Sequence, residues 1–504
     1  MPHCCDAGLM RALLFLLIGL VVASPGAAAW RVAESAHFRV YADMSATDLR
    51  RRAELLEDYR TLLGKFTTAQ VDEAAPKLDI YIVDTMSSAV PFGKVGPDVA
   101  GFYNAGDRGI AAFATKGEFG QKVLLHEYAH RHMFASTGQS YPAWYVEGFA
   151  EYFMTATFFP TRVDFGLFDA GRAYSLSQQW LNWDRVIGRE TAKLRSADVL
   201  MFYAQSWLLT HYMFRAPGMS EKLNAYLRAV AGGTDPLSAF KANVLPEPRE
   251  LNGPLKAYMS RMTFSRLTRK GPETAMVTVR DLPASAGDVI MLYAWLDNRG
   301  GEAPDPKAAL ARVRGATARH QGDVLATRTL ALAEMYWGDK ARANSLLDGL
   351  LAASPGDSDL LRLKAEALLA ADARANRGEA RRLLVRAAKA APADWRALHL
   401  YVHTSDIERG PVDDNLFNVV QRMWELAPQA SGIVIDMATV LVRKGRMADA
   451  AKVLEPVAFA PHGDGYAALA RSLREAALAG DAAAFVKRLE EGPPKEVQET
   501  AEAK

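Results

Sequence analysis

The sequence is nearly without cysteine. Of its 504 residues only Cys4 and Cys5 carry thiols, and both precede an apolar run near the N-terminus. A chain processed after that run would hold none. Disulfides, thiolate metal ligands and cysteine nucleophiles are then excluded together, and any metal site must be built from histidine and carboxylate. Charge of one sign is also lacking: 60 basic against 58 acidic residues leave +2, with no dense Lys/Arg run. This balance offers no argument for nucleic acid or an anionic membrane surface as partner. Long hydrophobic runs are missing beyond the first thirty residues, so no later segment is expected to span a bilayer.

Those first residues have the layout of a secretory signal peptide. Arg11 precedes an apolar stretch from Ala12 to Ala23, Ser24-Pro25-Gly26 breaks it, and Ala27-Ala28-Ala29 offers a small-residue cleavage site. Residues 1–29 are thus expected to be removed and the mature chain, from Trp30, to be exported to the periplasm or secreted, with no stable membrane span. The alternative is an uncleaved anchor, although the run is shorter than the roughly 20 residues a spanning helix needs. Residues 1–9 are unusual for such a segment, which makes Met10 an alternative start of translation.

Half the residues are apolar, and the length suits two or three domains. Phe38 to Tyr41 and Leu78 to Val83 read as strands, with a helical spacing between them from Asp48 to Phe66. Pro91 to Gly109 reads as loop, leading into the short apolar segment Ile110 to Ala114. From Gly120 to Ser260 nearly everything has helical spacing. Thr278 to Leu292 shows short β-like pieces broken by Pro283 and Gly287, and Gly300 to Pro306 reads as a linker. The last third is Ala-rich and periodic: Pro355, Pro392, Pro428 and Pro461 fall 37, 36 and 33 residues apart, with Gly338, Gly378 and Gly445 near first-helix ends. A helix pair repeated at about 34 residues is the signature of a tetratricopeptide-type solenoid. An irregular Ala-rich bundle is the alternative, and the Asp372 to Asn376 insertion and Gly410-Pro411 make the array imperfect. Residues 491–504 are polar and expected to be disordered.

The chemistry-bearing segment is His126-Glu127-Tyr128-Ala129-His130. Two histidines four apart on a helix share a face and can reach one ion, while Glu127 is offset enough to miss ligation and act on water instead. Zinc lowers the pKa of bound water from 15.7 to about 7, and a neighbouring carboxylate can take that proton. Val123 to Phe134 contains neither Gly nor Pro, and Gly138 suits a helix stop. Catalytic zinc sites usually hold three protein ligands. The third candidate lies in Trp144-Tyr145-Val146-Glu147-Gly148-Phe149-Ala150-Glu151, where one of two carboxylates four apart can ligate and the other can orient an imidazole. An incidental histidine pair is the alternative.

His126 to His130 followed by Trp144-x-x-Glu147-Gly148-x-Ala150 resembles the gluzincin metallopeptidases, notably the peptidase MA-like group and more remotely the aminopeptidase-N-like enzymes. The resemblance runs through Tyr203-Ala204-Gln205-Ser206-Trp207 and covers roughly Phe38 to Val244. It implies an α+β zincin-like domain over residues 30–265, Zn2+ held by His126, His130 and Glu147, Glu127 as base, and Tyr203 as a donor to the oxyanion, against a plain packing role for that tyrosine. Glu151 is expected behind the ligands, or as a solvated charge. Sixteen residues separate His130 from Glu147, slightly fewer than in the aminopeptidases, and no Gly-x-Met-Glu-Asn-type signature lies upstream, so terminus trimming is not implied. Ile110 to Ala114 resembles the edge strand that pairs with substrate, or is an ordinary core strand. His132 is expected to be exposed, and His211 to pack rather than react.

The resulting expectation is an α+β zincin-like domain (30–265), a connecting segment (266–306) and an all-α helical-repeat, tetratricopeptide-like solenoid (307–490). It would act on a peptide or protein substrate, with a protein partner on the repeats and no nucleic acid. Two rivals stay open: a catalytically idle extracytoplasmic scaffold, and a zinc hydrolase of a non-peptide substrate such as cell-wall material.

Overall fold

The computed structural model describes residues 29–493 apart from 68–74, 97–98, 136–140, 189–193, 195, 272–275, 406 and 461–464. The signal-peptide reading, Gly138, Pro461 and all but the start of the polar tail lie outside the described residues. Among those described, no helix is long and apolar enough to cross a membrane.

A mixed sheet organises the N-terminal part. Its strands are β1 (Trp30–Glu34), β2 (Phe38–Asp43), β3 (Leu78–Val83), β4 (Gly101–Ala105), β5 (Ile110–Thr115) and, far along the chain, a last strand at Thr278–Asp281. The order is β4-β5-β3-β2-β1 and then that last strand, with β2, β3 and β5 parallel and the rest antiparallel. The parallel step from β2 to β3 is bridged by α1 (Ala46–Gly64), opened by the Ser45 cap on Asp48 N–H. A turn, α2 (Met86–Ala89), precedes β4, and α3 (Glu118–Met133) follows β5.

Alternation on the strands makes two cores. Phe38, Val40 and Ala42 of β2, Ile80 and Ile82 of β3, and Ala112 and Ala114 of β5 face α1 and α3. On the opposite face Tyr41, Tyr81, Phe113 and Phe102 stack in a row across four strands, with centroids 4.8, 5.3 and 4.7 Å apart. Both faces of β3 are covered, so its sequence is nearly all apolar.

Helices dominate from there: α4 (Ala143–Phe153), α5 (Ala170–Leu176), α6 (Trp183–Ile187), α7 (Ser196–Arg215), α8 (Met219–Ala231), α9 (Pro236–Asn243) and α10 (Asn252–Met259). The expected all-helical stretch is interrupted by β6 (Thr157–Phe159) and β7 (Arg162–Phe165), joined by β8 (Ser265–Thr268) into a small second sheet. The last strand of the large sheet, now β9 (Thr278–Asp281), pairs with β1, but the β-like reading fails beyond it. Residues Ala286–Arg299 form a helix, α11, with Gly287 in its first turn, where glycine breaks no established hydrogen-bond ladder. Its Ile290 and Ala294 cover the aromatic face of the sheet.

Beyond α11 the chain is all helical: α12 (Pro306–Ala318), α13 (Val324–Trp337), α14 (Lys340–Ala353), α15 (Ser358–Ala390), α16 (Trp395–His403), α17 (Asp414–Leu426), α18 (Ser431–Arg443), α19 (Met447–Ala458), α20 (Gly465–Leu478) and α21 (Ala482–Glu491). Each packs on the next. Aspartates open most of them, with Asp305, Asp323, Asp339, Asp357, Asp394, Asp413 and Asp481 each accepting from a first-turn N–H. Pro355, Pro392 and Pro428 fall just before α15, α16 and α18, where proline cannot extend the preceding helix. Gly338 and Gly445 end helices, the latter at φ +75°. Gly378 does not: the break in α15 is at Asp372, whose extended backbone (φ −156°, ψ 100°) and side-chain caps on Arg374 and Ala375 N–H start the second half of that element.

Candidate metal centre

Helix α3 runs off the parallel strand β5 and lies beneath the sheet, which leaves one of its faces to α4. That face carries His126 and His130, whose Nε2 atoms are 3.0 Å apart with rings edge-on. From α4, Glu147 brings Oε2 to 3.5 Å of His126 Nε2 and Oε1 to 3.6 Å of His130 Nε2. Glu147 is 0 % exposed and both histidines are buried. The structure thus brings together two histidines and a glutamate that sequence reasoning had placed on two helices.

α4 reaches this depth because Gly148 follows Glu147. A Cβ there would overlap Thr210 Oγ1 and the Ser206 carbonyl of α7, so only glycine permits the approach. Helix α7 carries Tyr203 to the other side of the site, its ring 6.3 Å from that of His126. Burial, with the charges of Glu147, Glu127 and Glu151, raises the Tyr203 pKa, so the phenol remains an O–H donor.

Glu151, one turn beyond Glu147, is also 0 % exposed and places Oε1 3.4 Å from His126 Nδ1. It is not a solvated charge. Arg172 of α5 grips both its oxygens, Nε to Oε2 and Nη2 to Oε1 at 2.6 Å each, in a bidentate pair. Burial disfavours protonation of His126, but the hydrogen bond with Glu147 and the charges of Glu151, Glu147 and Glu127 outweigh it and raise its pKa. Arg172 gave no sequence signal: it follows Glu151 by 21 residues on a separate short helix and belongs to no motif.

The donor set suits a borderline divalent ion. A tetrahedral zinc with bonds of about 2.0 Å sets ligand atoms roughly 3.3 Å apart, close to the 3.0, 3.5 and 3.6 Å seen here. Three carboxylates and one guanidinium around two imidazoles also leave a negative environment that a cation complements.

Two expectations need correction. His132 is 3 % exposed, not solvated: α3 is enclosed on both sides, and the ring faces Thr67 Oγ1 at 3.0 Å, with burial, Arg60 and Arg131 pushing its pKa down to about 4. Residues Ile110 to Ala114 lie inside the sheet between β3 and β4, in line with the core-strand alternative; the edge strand on that side is β4, whose residues were expected to be loop. Its Gly101 has no room for a Cβ against the Phe113 carbonyl and Val123, which is why a turn-like composition makes a strand. His211 packs as expected, buried between the Tyr258 hydroxyl at 2.6 Å and the Gly166 carbonyl at 3.0 Å.

A cleft of about 380 Å³ opens beside the site. Glu127 and His130 form its floor and Phe102, Tyr103 and Ala105 of β4 one wall, while Pro428, Gln429, Pro456 and Val457 of the C-terminal helices form the other. A larger cavity of about 570 Å³ lies behind the sheet, where many of the charges pair with one another: Arg39 with Asp79, Arg328 with Asp357 and Asp359, Arg396 with Asp297 and Asp394. It is a polar seam between the two parts of the chain. The smaller cleft is the one that adjoins His126, His130 and Glu147.

Comparison with models of known families and with curated proteins finds no match for this chain.

Proposed function

We propose that this chain is an exported zinc-dependent hydrolase of peptide bonds, of the gluzincin type, whose helical repeats form part of its substrate cleft. The observation that carries the reading is the convergence of His126, His130 and Glu147 at ligand spacing, with Glu127 on the floor of the adjoining cleft. Zinc bound by those three residues supplies Lewis acidity, lowering the pKa of water to about 7 and polarising the scissile carbonyl.

The protein's own groups do the rest. Glu127, on the same helix turn as the ligands but turned into the cleft, takes the proton of the attacking water and passes it to the leaving amine. Tyr203, held protonated, donates to the oxygen of the tetrahedral species. Arg172 fixes Glu151, and Glu151 fixes the ring of His126 through Nδ1, which sets the tautomer that leaves Nε2 free to ligate. The edge of β4 offers unpaired backbone groups to an extended peptide. The second wall of the cleft, Pro428 with Gln429 and Pro456 with Val457, comes from the connections and helices of the tetratricopeptide-like array, which ties partner or substrate binding on the repeats to the site itself.

The test is cleavage of a quenched-fluorescence peptide library by the zinc-loaded mature chain, beside Glu127→Gln. Turnover in the wild type, reduced at least 100-fold in Glu127→Gln with zinc retained, is the expected result. No turnover in either, with repeat-domain binding intact, would point to the scaffold reading. Turnover on cell-wall fragments alone would move the substrate away from peptides.

A further inference from the structure

We propose that His399, His403 and Asp436 form a second metal site, separate from the first and located in the C-terminal helices. His399 and His403 lie one turn apart on α16, with ring centroids 4.4 Å apart and edge-on. Asp436 comes from α18, and its Oδ2 is 3.0 Å from His403 Nε2 and 3.8 Å from His399 Nε2. One ligand atom from each residue lies within 4.8 Å of the other two.

An ordinary histidine–aspartate hydrogen bond accounts for His403. It does not account for His399, which turns the same ring nitrogen on the same carboxylate oxygen at a distance too long for a hydrogen bond. A cation drawn between the three would make a short bond to each, pulling ligand atoms now within 4.8 Å of one another towards the roughly 3.3 Å spacing of a tetrahedral site. Two imidazoles and a carboxylate select the borderline divalent ions, zinc, cobalt(II) or nickel(II), over magnesium or calcium.

The surroundings complement a cation. Asp107, in the turn between β4 and β5, packs against Gly432 of α18, and its charge and that of Glu408 reach His403. The charge of the next residue, Arg108, also reaches His399, but that of Glu366, with which Arg108 pairs, reaches it too and opposes it. The His403 side chain is 47 % exposed, so an ion has a route from solvent. The site joins α16 to α18 directly beneath the hairpin whose first strand walls the cleft. An ion there would fasten α16 to α18 beside that hairpin.

The test counts metal. The purified full chain is loaded with Co2+ or Zn2+, passed through a desalting column and assayed by elemental analysis, beside His403→Ala and Glu147→Ala. Asp436→Asn, which keeps shape and the His403 hydrogen bond, serves as a second variant. Two ions per chain in the wild type and one in each variant is expected. The loss in His403→Ala should be accompanied by loss of one set of Co2+ visible bands. A single ion lost in Glu147→Ala and kept in His403→Ala and Asp436→Asn would overturn this site and leave the first standing. A single ion lost in His403→Ala and kept in Glu147→Ala would support this site and overturn the first. No ion in the wild type would overturn both.

Discussion

Removing Arg172 should weaken metal binding without touching a ligand. Glu151 is fully buried, and its two oxygens are held at 2.6 Å by Arg172 while one of them lies 3.4 Å from His126 Nδ1. In Arg172→Met the guanidinium is lost but the stem still fills its place, so Glu151 becomes a buried carboxylate facing only an imidazole. Breaking one side of a buried ion pair costs about 3–5 kcal/mol, and the carboxylate answers by turning away or taking a proton. Either way it ceases to orient His126. Outer partners of this kind are worth about 10–100-fold in metal affinity, or roughly 1.4–2.8 kcal/mol at about 1.4 kcal/mol per decade. The assay is competition of wild type, Arg172→Met, Glu151→Gln and the double variant against a chromogenic zinc chelator, with urea unfolding of the apo forms run in parallel. Glu151→Gln removes the charge that Arg172 balances, so the double variant should lose less than the sum of the singles. Unchanged zinc affinity in Arg172→Met would refute the claim that this pair positions the ligand, and additive losses would refute the coupling.

Three further outcomes follow from the packing. Gly148→Ala should destabilise the fold by about 1–3 kcal/mol and loosen metal binding, because the added methyl forces α4 from α7 and carries Glu147 with it; a wild-type urea midpoint and metal affinity would contradict this. His211 is held neutral by burial, its pKa pushed down to about 4 from an ordinary 6.5. The unfolded chain therefore binds the proton first as pH falls, and the stability this residue contributes, complete above pH 6.5, is lost on the way down to 4. The loss is at most about 3 kcal/mol, and His211→Gln should show a shallower decline between pH 7 and 4.5. Arg108→Ala should leave Glu366 with Tyr336 and Arg362 alone and cost about 1–3 kcal/mol at the seam between the sheet and the C-terminal helices; faster proteolytic nicking of Gly106 to Gly109, with the helical half intact, is the expected sign.

The candidate metal centre was the most legible part of the chain because its spacing is local. Histidines at i and i+4 on a helix, or carboxylates at 147 and 151, share a face wherever that helix is placed. The periodic prolines of the last third were readable for the same reason, as chain-local chemistry of helix ends. By contrast, His132 read as exposed because a helix carries no mark of how many of its faces will be covered. Strand β4 read as loop because Gly101, Asn104 and their neighbours become a strand only when β5 lies beside them, and α11 read as broken strand because Pro283 and Gly287 outweighed an apolar face whose partner is the distant aromatic row.

By itself the sequence determined which helix carries the histidines, which acidic residues stand one turn apart, and that the chain turns all-helical and roughly periodic beyond residue 307. Those properties depend on residues within about one turn or one repeat of each other. Only the tertiary structure decided that Glu147 meets both histidines, that Arg172 holds Glu151, that Pro428 and Val457 face Glu127 across a cleft, and that Asp436 meets the second histidine pair. Each of those contacts joins separate elements, the last across an intervening helix and 33 residues. Such pairings are set by the packing of whole faces, which no local spacing records.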